Sequence, residues 1–159
     1  RLLSYTLFHS HCYADSEEKK LNRDKEIELI KSGKKELIIR KFIPNLFANE
    51  NANKFQDKIT LLTRMAMNTS EKGIIAVLNG LKNRKDRSHI IKIGGTPGLL
   101  ITGCHDNFIS GAINDRIMEL SGELSRVNLK NSGHMGMIEE KKKAVTELRN
   151  FFFSIRSSQ

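Results

Sequence analysis

Three short stretches that read as strands, separated by stretches of three- and four-residue periodicity, divide the 159-residue chain. Residues 2–8 (Leu-Leu-Ser-Tyr-Thr-Leu-Phe) are apolar between polar neighbours and read as a buried strand. Residues 98–102 (Gly-Leu-Leu-Ile-Thr) are apolar at consecutive positions, the pattern of a parallel strand covered on both faces, and residues 126–129 give a third strand.

Between the first and second strands, residues 15–86 offer helices only. Asp15 or Ser16 caps the first, Glu17 and Glu18 favour its positive end, Leu21, Ile27, Leu29 and Ile30 form its stripe, and Gly33 stops it. A short helical piece at residues 37–39 breaks at Pro44, and the polar residues 48–53 read as a mobile connection. Phe55, Ile59, Leu62 and Met65 share one helix face; Thr69 or Ser70 then caps a helix expected to bury Ile74, Ile75, Val77, Leu78 and Leu81.

A helix over about residues 112–120, with Ile113, Ile117, Met118 and Leu120 inward, joins the second strand to the third. A last helix, residues 139–155, is expected to bury Val145, Leu148, Phe152 and Ile155. Strand, helical insert, strand, helix, strand, helix is an α/β order with three parallel strands. The expected divisions are 1–14 for the first strand and its loop, 15–88 for the helical insert, and 89–159 for the other strands and final helices.

Hydrophobic residues at 38% suffice for a core. A formal charge of +9 would ordinarily suggest nucleic acid or an anionic surface. Here the basic residues are dispersed beside acidic ones on helices, and eight Phe and two Tyr give little for bases to stack on, so a solvated face is expected, with neither nucleic acid nor membrane as partner. Cys12 and Cys104 have neither metal spacing nor disulfide density, which points to a reducing, cytoplasmic setting. No apolar run approaches the roughly 18 residues that span a bilayer. The apolar run starts directly after Arg1, as in a chain divided inside a domain, so an upstream segment is expected.

The chemistry concentrates after the second and third strands. Asp106 follows one and His134 the other, in Asn131-Ser132-Gly133-His134-Met135-Gly136. Adjacent parallel strands bring such residues together at the carboxyl edge of the sheet, where open α/β sheets bind ligands. A carboxylate there can orient an imidazole, which can then take a proton from a nucleophile.

Gly98-Leu99-Leu100-Ile101-Thr102-Gly103-x-x-Asp106 resembles the seventh strand and acid turn of the α/β-hydrolases, and Asn131-Ser132-Gly133-His134-Met135 with Glu139 resembles their histidine loop and final helix. Residues 69–86, ending in Arg84-x-Asp86-Arg87, resemble the end of the lid in ester-hydrolase-like members, and residues 2–8 resemble strand six. The resemblance covers the whole chain but only the C-terminal half of the family domain.

It implies strands six to eight with a helical lid insertion, His134 as general base and Asp106 as its orienting acid. His9, His11 and Met135 would face substrate, and no metal or organic cofactor is implied. The partners would be a small-molecule substrate and the N-terminal half of the same hydrolase, with strands one to five and the nucleophile. No Gly-x-Ser-x-Gly or Gly-x-Asp-x-Gly elbow occurs among the 159 residues. The implied reaction is hydrolysis of an ester or related acyl bond by an upstream serine. Aspartate-nucleophile epoxide hydrolases or dehalogenases, and a non-catalytic ligand-binding protein on the same fold, are the alternatives. His9, His11 and Cys12 suggest a metal cluster on paper, but no second half of a four-ligand site accompanies them. Ser10, Ser110 and Ser132 lack the glycine frame of a strained elbow.

Overall fold

A computed structural model describes residues 2–157. The described chain forms two compact units: one comprises the residues up to Cys12, Leu46–Asn51 and everything from Ser88 onward, the other Tyr13–Asn45 and Ala52–Arg87.

The first unit is built on a three-stranded parallel sheet in the order β1 (Tyr5–Phe8), β2 (Gly98–Gly103), β3 (Leu124–Leu129). Register aligns Phe8 with Ile101 and Gly103 with Leu129, so all three strands end near one edge. Thr102 Oγ1 donates to Asn128 Oδ1 of its register partner at 2.7 Å, a side-chain bond that reinforces the β2–β3 alignment. Every residue of β2 is buried, as its apolar sequence requires of a central strand covered on both faces. The strand expected from residue 2 begins at Tyr5; Leu2 and Leu3 are exposed.

Helix α6 (Gly111–Met118), capped by Ser110, and the pair α7 (Gly136–Glu139) and α8 (Lys141–Ser157) pack on β3 or on each other. The core joins Leu99, Ile101, Leu129 and Ala144, with Phe8, Val127, Leu148 and Phe151 around them. The inward face of α8 is therefore Ala144, Leu148 and Phe151; Val145 and Phe152, expected inside, are exposed. An apolar stripe of three residues is rotated easily by one position, and small Ala144 gives the closer approach to the sheet. Helix α5 (Ser88–Ile93) buries only Ile91 and leads through Gly94 and Gly95 into β2.

The second unit is wholly helical: α1 (Glu17–Lys31), α2 (Lys35–Asn45), α3 (Gln56–Asn68) and α4 (Glu71–Asn83). Ser16 caps α1 by accepting from the Lys19 amide, and Ser70 caps α4 by accepting from Gly73. Pro44 lies in the last turn of α2, where a missing amide costs one backbone bond without breaking earlier turns. Helix α1 packs on α2 and α4, and α2 on α3, around Ile27, Ile30, Ile39, Ile43 and Ile59. Helix α4, expected to be apolar inside, buries no residue, and Val77 is 62% exposed.

The stretch 48–53, expected to be a mobile connection, starts instead from buried Ala48 and a 3-10 turn at Asn49–Asn51. Phe47 is fully buried and Leu46 and Ala48 nearly so, all within the sheet unit. Three apolar residues anchor this segment before the polar asparagines begin.

Candidate active site

The site is assembled at the carboxyl edge of the sheet from three turns. The β2 strand ends at Gly103, and the chain turns so that Asp106 Oδ1 accepts from the amides of Phe108 (2.8 Å) and Ile109 (3.1 Å). Such a side-chain turn fixes the carboxyl group against its own loop. It also leaves Oδ2 for other partners. His134 Nδ1 meets Oδ2 at 2.8 Å, and His9 Nδ1 meets the same oxygen at 3.2 Å. Each carboxylate oxygen thus has two hydrogen-bond partners.

The Asp106 side chain is 2% exposed and that of His134 26%. Burial by itself would push the Asp106 carboxyl up, but the bonds from His134 and His9 and from the Phe108 amide outweigh it and hold the group far below the usual carboxylate range. An ionised carboxylate only accepts, so both Nδ1 atoms donate to it. His134 is thereby fixed in the tautomer that leaves Nε2 for proton exchange.

The histidine loop is held from beneath by two glutamates. Glu139 Oε1 accepts from the amides of Gly133 (2.9 Å) and Met135 (3.3 Å), and Oε2 accepts from the Ala48 amide (2.9 Å) and Asn51 Nδ2 (2.8 Å). Glu140 Oε2 accepts from the Asn131 amide and the Ser132 hydroxyl. The His134 amide donates to Leu46 O at 2.7 Å. Gly133 is required there, because a Cβ would enter the backbone of residues 46–48. Neither Glu139 as an acceptor for four donors nor segment 46–51 as a support was legible in the sequence. The available signal was the apolar Leu46-Phe47-Ala48 preceding the asparagines.

The structure brings together His9, Asp106 and His134, whose ligand atoms lie within 4.8 Å of one another. That set differs from the His9, His11 and Cys12 grouping of the sequence. The trio fits a hydrogen-bonded relay better than a metal: both Nδ1 protons are committed to Asp106, and His9 Nε2 accepts the Gly136 amide at 3.2 Å. His9, expected to face substrate, is turned inward with a side chain 1% exposed and both nitrogens engaged, which leaves it no polar atom for a ligand. His11 and Met135 are half-buried, and His105, beside the acid, is exposed. Cys12 and Cys104 form no disulfide in the described chain. No helix among the described residues is long and apolar enough to cross a membrane.

Neither the family models nor the curated proteins match this sequence. Solved structures do. A thermophilic esterase from Thermogutta terrifontis superposes with a TM-score of 0.88 at 19% identity, covering 98% of this chain and 57% of its own. An enol-lactonase from Burkholderia xenovorans LB400 gives 0.82 at 14% identity, covering 94% and 56%, and an esterase from Exiguobacterium antarcticum gives 0.77 at 17%, covering 93% and 56%. The chain spans little more than half the length of the structures it matches. Its three parallel strands, the helical insert between β1 and β2, and the helices that follow give these 159 residues the fold of the C-terminal half of an α/β-hydrolase.

Proposed function

We propose that this chain supplies the general base and the orienting acid of a hydrolase acting on an ester or related acyl bond. The observation that carries the reading is the Asp106–His134 pair: a buried, ionised carboxylate, fixed by its own turn, holds one nitrogen of a partly exposed imidazole at 2.8 Å. His134 Nε2 would take the proton of an attacking serine and return it to the leaving group, while Asp106 stabilises the imidazolium formed between those steps. The serine would stand on an elbow outside these residues, in a segment carrying the remaining strands. The attack would give an acyl-enzyme that water resolves.

β1 is an edge of the described sheet, with Leu2 and Leu3 exposed beside a cleft of about 640 Å³ lined also by Pro97, Phe151 and Ile155. That edge would receive the segment with the nucleophile, since an open apolar strand edge is otherwise an aggregation hazard. The helical unit, inserted between β1 and β2, would act as a lid, and His11 and Met135 would line the substrate side.

The test is turnover of a short-chain p-nitrophenyl ester by the complete enzyme. His134→Ala should abolish nearly all turnover while thermal unfolding stays close to that of the parent; a near-normal rate would sink the assignment.

A further inference from the structure

His9 stands outside the expected relay, yet it is the most constrained histidine of the site. It follows β1, and its amide extends the ladder to Ile101 O at 2.9 Å. Its φ of 43° is left-handed, and it is the one non-glycine residue described with that sign. Such conformations are uncommon outside glycine, asparagine, aspartate and histidine, and they persist where surrounding contacts over-determine them. Here the side chain makes two hydrogen bonds. Nδ1 lies 3.2 Å from Asp106 Oδ2, and Nε2 accepts the Gly136 amide at 3.2 Å. A Cβ at Gly136 would collide with His9 Nε2 and with Leu129, so the glycine is what permits the second bond.

An acceptor at Nε2 and a donor at Nδ1 define one species, the neutral ring with its proton on Nδ1. A proton on Nε2 would face the Gly136 amide hydrogen and lose that bond. His9 therefore joins the acid turn after β2 to the turn that follows His134, two loops with no peptide connection shorter than the α6–β3 segment.

We propose that His9 is a positioning residue for the acid–base pair, its neutral ring tying Asp106 to the Gly136 turn and so holding Oδ2 in line with His134 Nδ1. This rests on the relay reading above for its effect on rate, but not for its chemistry. His9 fills the one remaining acceptor site of Oδ2, so the carboxylate cannot rotate away from His134 without losing a buried hydrogen bond. His9 also does so without bringing a second formal charge, which leaves the negative charge of Asp106 available to the imidazolium that forms on His134.

Two substitutions separate the two bonds. In His9→Asn the side-chain amide nitrogen occupies the place of Nδ1 and can still donate to Asp106, and asparagine tolerates a left-handed backbone. In His9→Gln the side-chain oxygen reaches the place of Nε2 and can still accept from Gly136, but the donor to Asp106 is lost. In the complete enzyme, with a short-chain p-nitrophenyl ester, His9→Gln should lower kcat about tenfold with KM unchanged, in keeping with one lost bond to a charged group. His9→Asn should recover most of that loss. Nitrogen NMR of the unsubstituted protein, labelled in its imidazoles, should show His9 neutral at pH 7 with a protonated Nδ1 and a bare Nε2.

A change confined to KM would make His9 a substrate contact. Equal behaviour of the two variants, at parental or at reduced rate, would make it a space-filling residue, and a protonated Nε2 would refute the geometry outright. The NMR result stands whether or not a variant folds and whether or not the ester is hydrolysed, so failure of the relay reading and failure of this proposal are told apart.

Discussion

Asp15 in the helical unit and Asp106 in the sheet unit both have buried side chains, and the two carboxylates are satisfied in opposite ways. Asp15, at the start of the helical unit, has a fully buried side chain whose oxygens accept from Arg23 Nε at 3.1 Å and Arg84 Nη2 at 2.8 Å. Asp106, in the sheet unit, accepts from two imidazoles and two backbone amides. Burial pushes both carboxyls up, and the hydrogen bonds around each more than reverse it, so both stand below their ordinary value of 3.8. The difference lies in what surrounds the charge. Guanidinium groups are always cationic and neutralise Asp15, which then serves to fasten the start of α1 to the end of α4. The imidazoles and amides around Asp106 carry no fixed charge, so its own charge is left to respond in the proton transfer proposed for His134. An acid neutralised by arginine is a fastening; one held by amides and imidazoles can take part in a proton transfer.

Exchanging the roles is the strongest test of that contrast. Asp106→Asn keeps the size and loses the charge, so turnover in the complete enzyme should fall by about 10³ to 10⁴, the scale on which a relay fails when its imidazole is offered the wrong tautomer. Stability should fall as well, because the asparagine nitrogen cannot accept from the two imidazoles, so the rate is what separates the two variants. Asp15→Asn should spare the rate. It leaves Arg23 and Arg84 without their anion and should cost about 1 to 3 kcal/mol in denaturant unfolding, with kcat nearly untouched. Both measurements on both variants are needed; a large loss of rate from Asp15→Asn, or none from Asp106→Asn, would erase the distinction.

A second test removes buried volume under the histidine loop. Phe47 is wholly buried in the segment whose Leu46 carbonyl accepts the His134 amide. Phe47→Ala should therefore destabilise by about 3 to 5 kcal/mol and, where the protein still folds, lower kcat as well, because the loop loses its support. Chemical denaturation together with ester turnover checks both halves of the expectation.

What the sequence disclosed follows from how local each signal was. The uninterrupted apolar run at residues 98–102, the caps expected at Asp15 or Ser16 and at Thr69 or Ser70, and the placement of Asp106 and His134 after successive strands depend on near neighbours; each appears in the structure, the caps at Ser16 and Ser70. The faces of α4 and α8 did not. Their apolar residues outnumber the inward positions available, and which of Val145, Leu148, Phe151 and Phe152 turns inward is set by the sheet beneath. Glu139 and the 46–51 segment were hidden for the same reason: the bonds from Ala48 and Asn51 to Glu139 span 91 and 88 positions. His9 read as a substrate contact because a histidine in a loop after a strand gives no sign that both of its nitrogens are engaged.

The pH dependence of stability sharpens the comparison further. A carboxyl whose folded value is lowered adds stability that is complete above its ordinary value, here 3.8, and that is lost as pH falls through the folded value. Both acids should therefore contribute to acid unfolding below about pH 4, and neither to any change near neutrality. Removing either charge should flatten the acid side of the stability curve. Added salt should weaken the Asp15 contribution more, because Arg23 and Arg84 are partly exposed, whereas Asp106 and His9 are almost wholly buried. Urea midpoints of Asp15→Asn and Asp106→Asn between pH 3 and pH 6, at low and high salt, measure this; equal salt sensitivity in the two would count against the assignment of their surroundings.

The smallest expected effect concerns α4. Its residues are half-buried or exposed throughout, and Val77 is 62% exposed, although its sequence has the apolar stripe of a buried helix. An apolar-to-polar exchange at an exposed position ordinarily changes stability by no more than about 0.5 kcal/mol, whereas Leu100→Ala, in the wholly buried β2, should cost about 2 to 5. Val77→Ser measured in the complete protein thus reports whether anything covers this face there. A change within about 0.5 kcal/mol would mean that the stripe is open to solvent in the complete protein. A change several times larger would mean that α4 is packed against protein, and its apolar residues would then belong to the fold rather than to substrate selection.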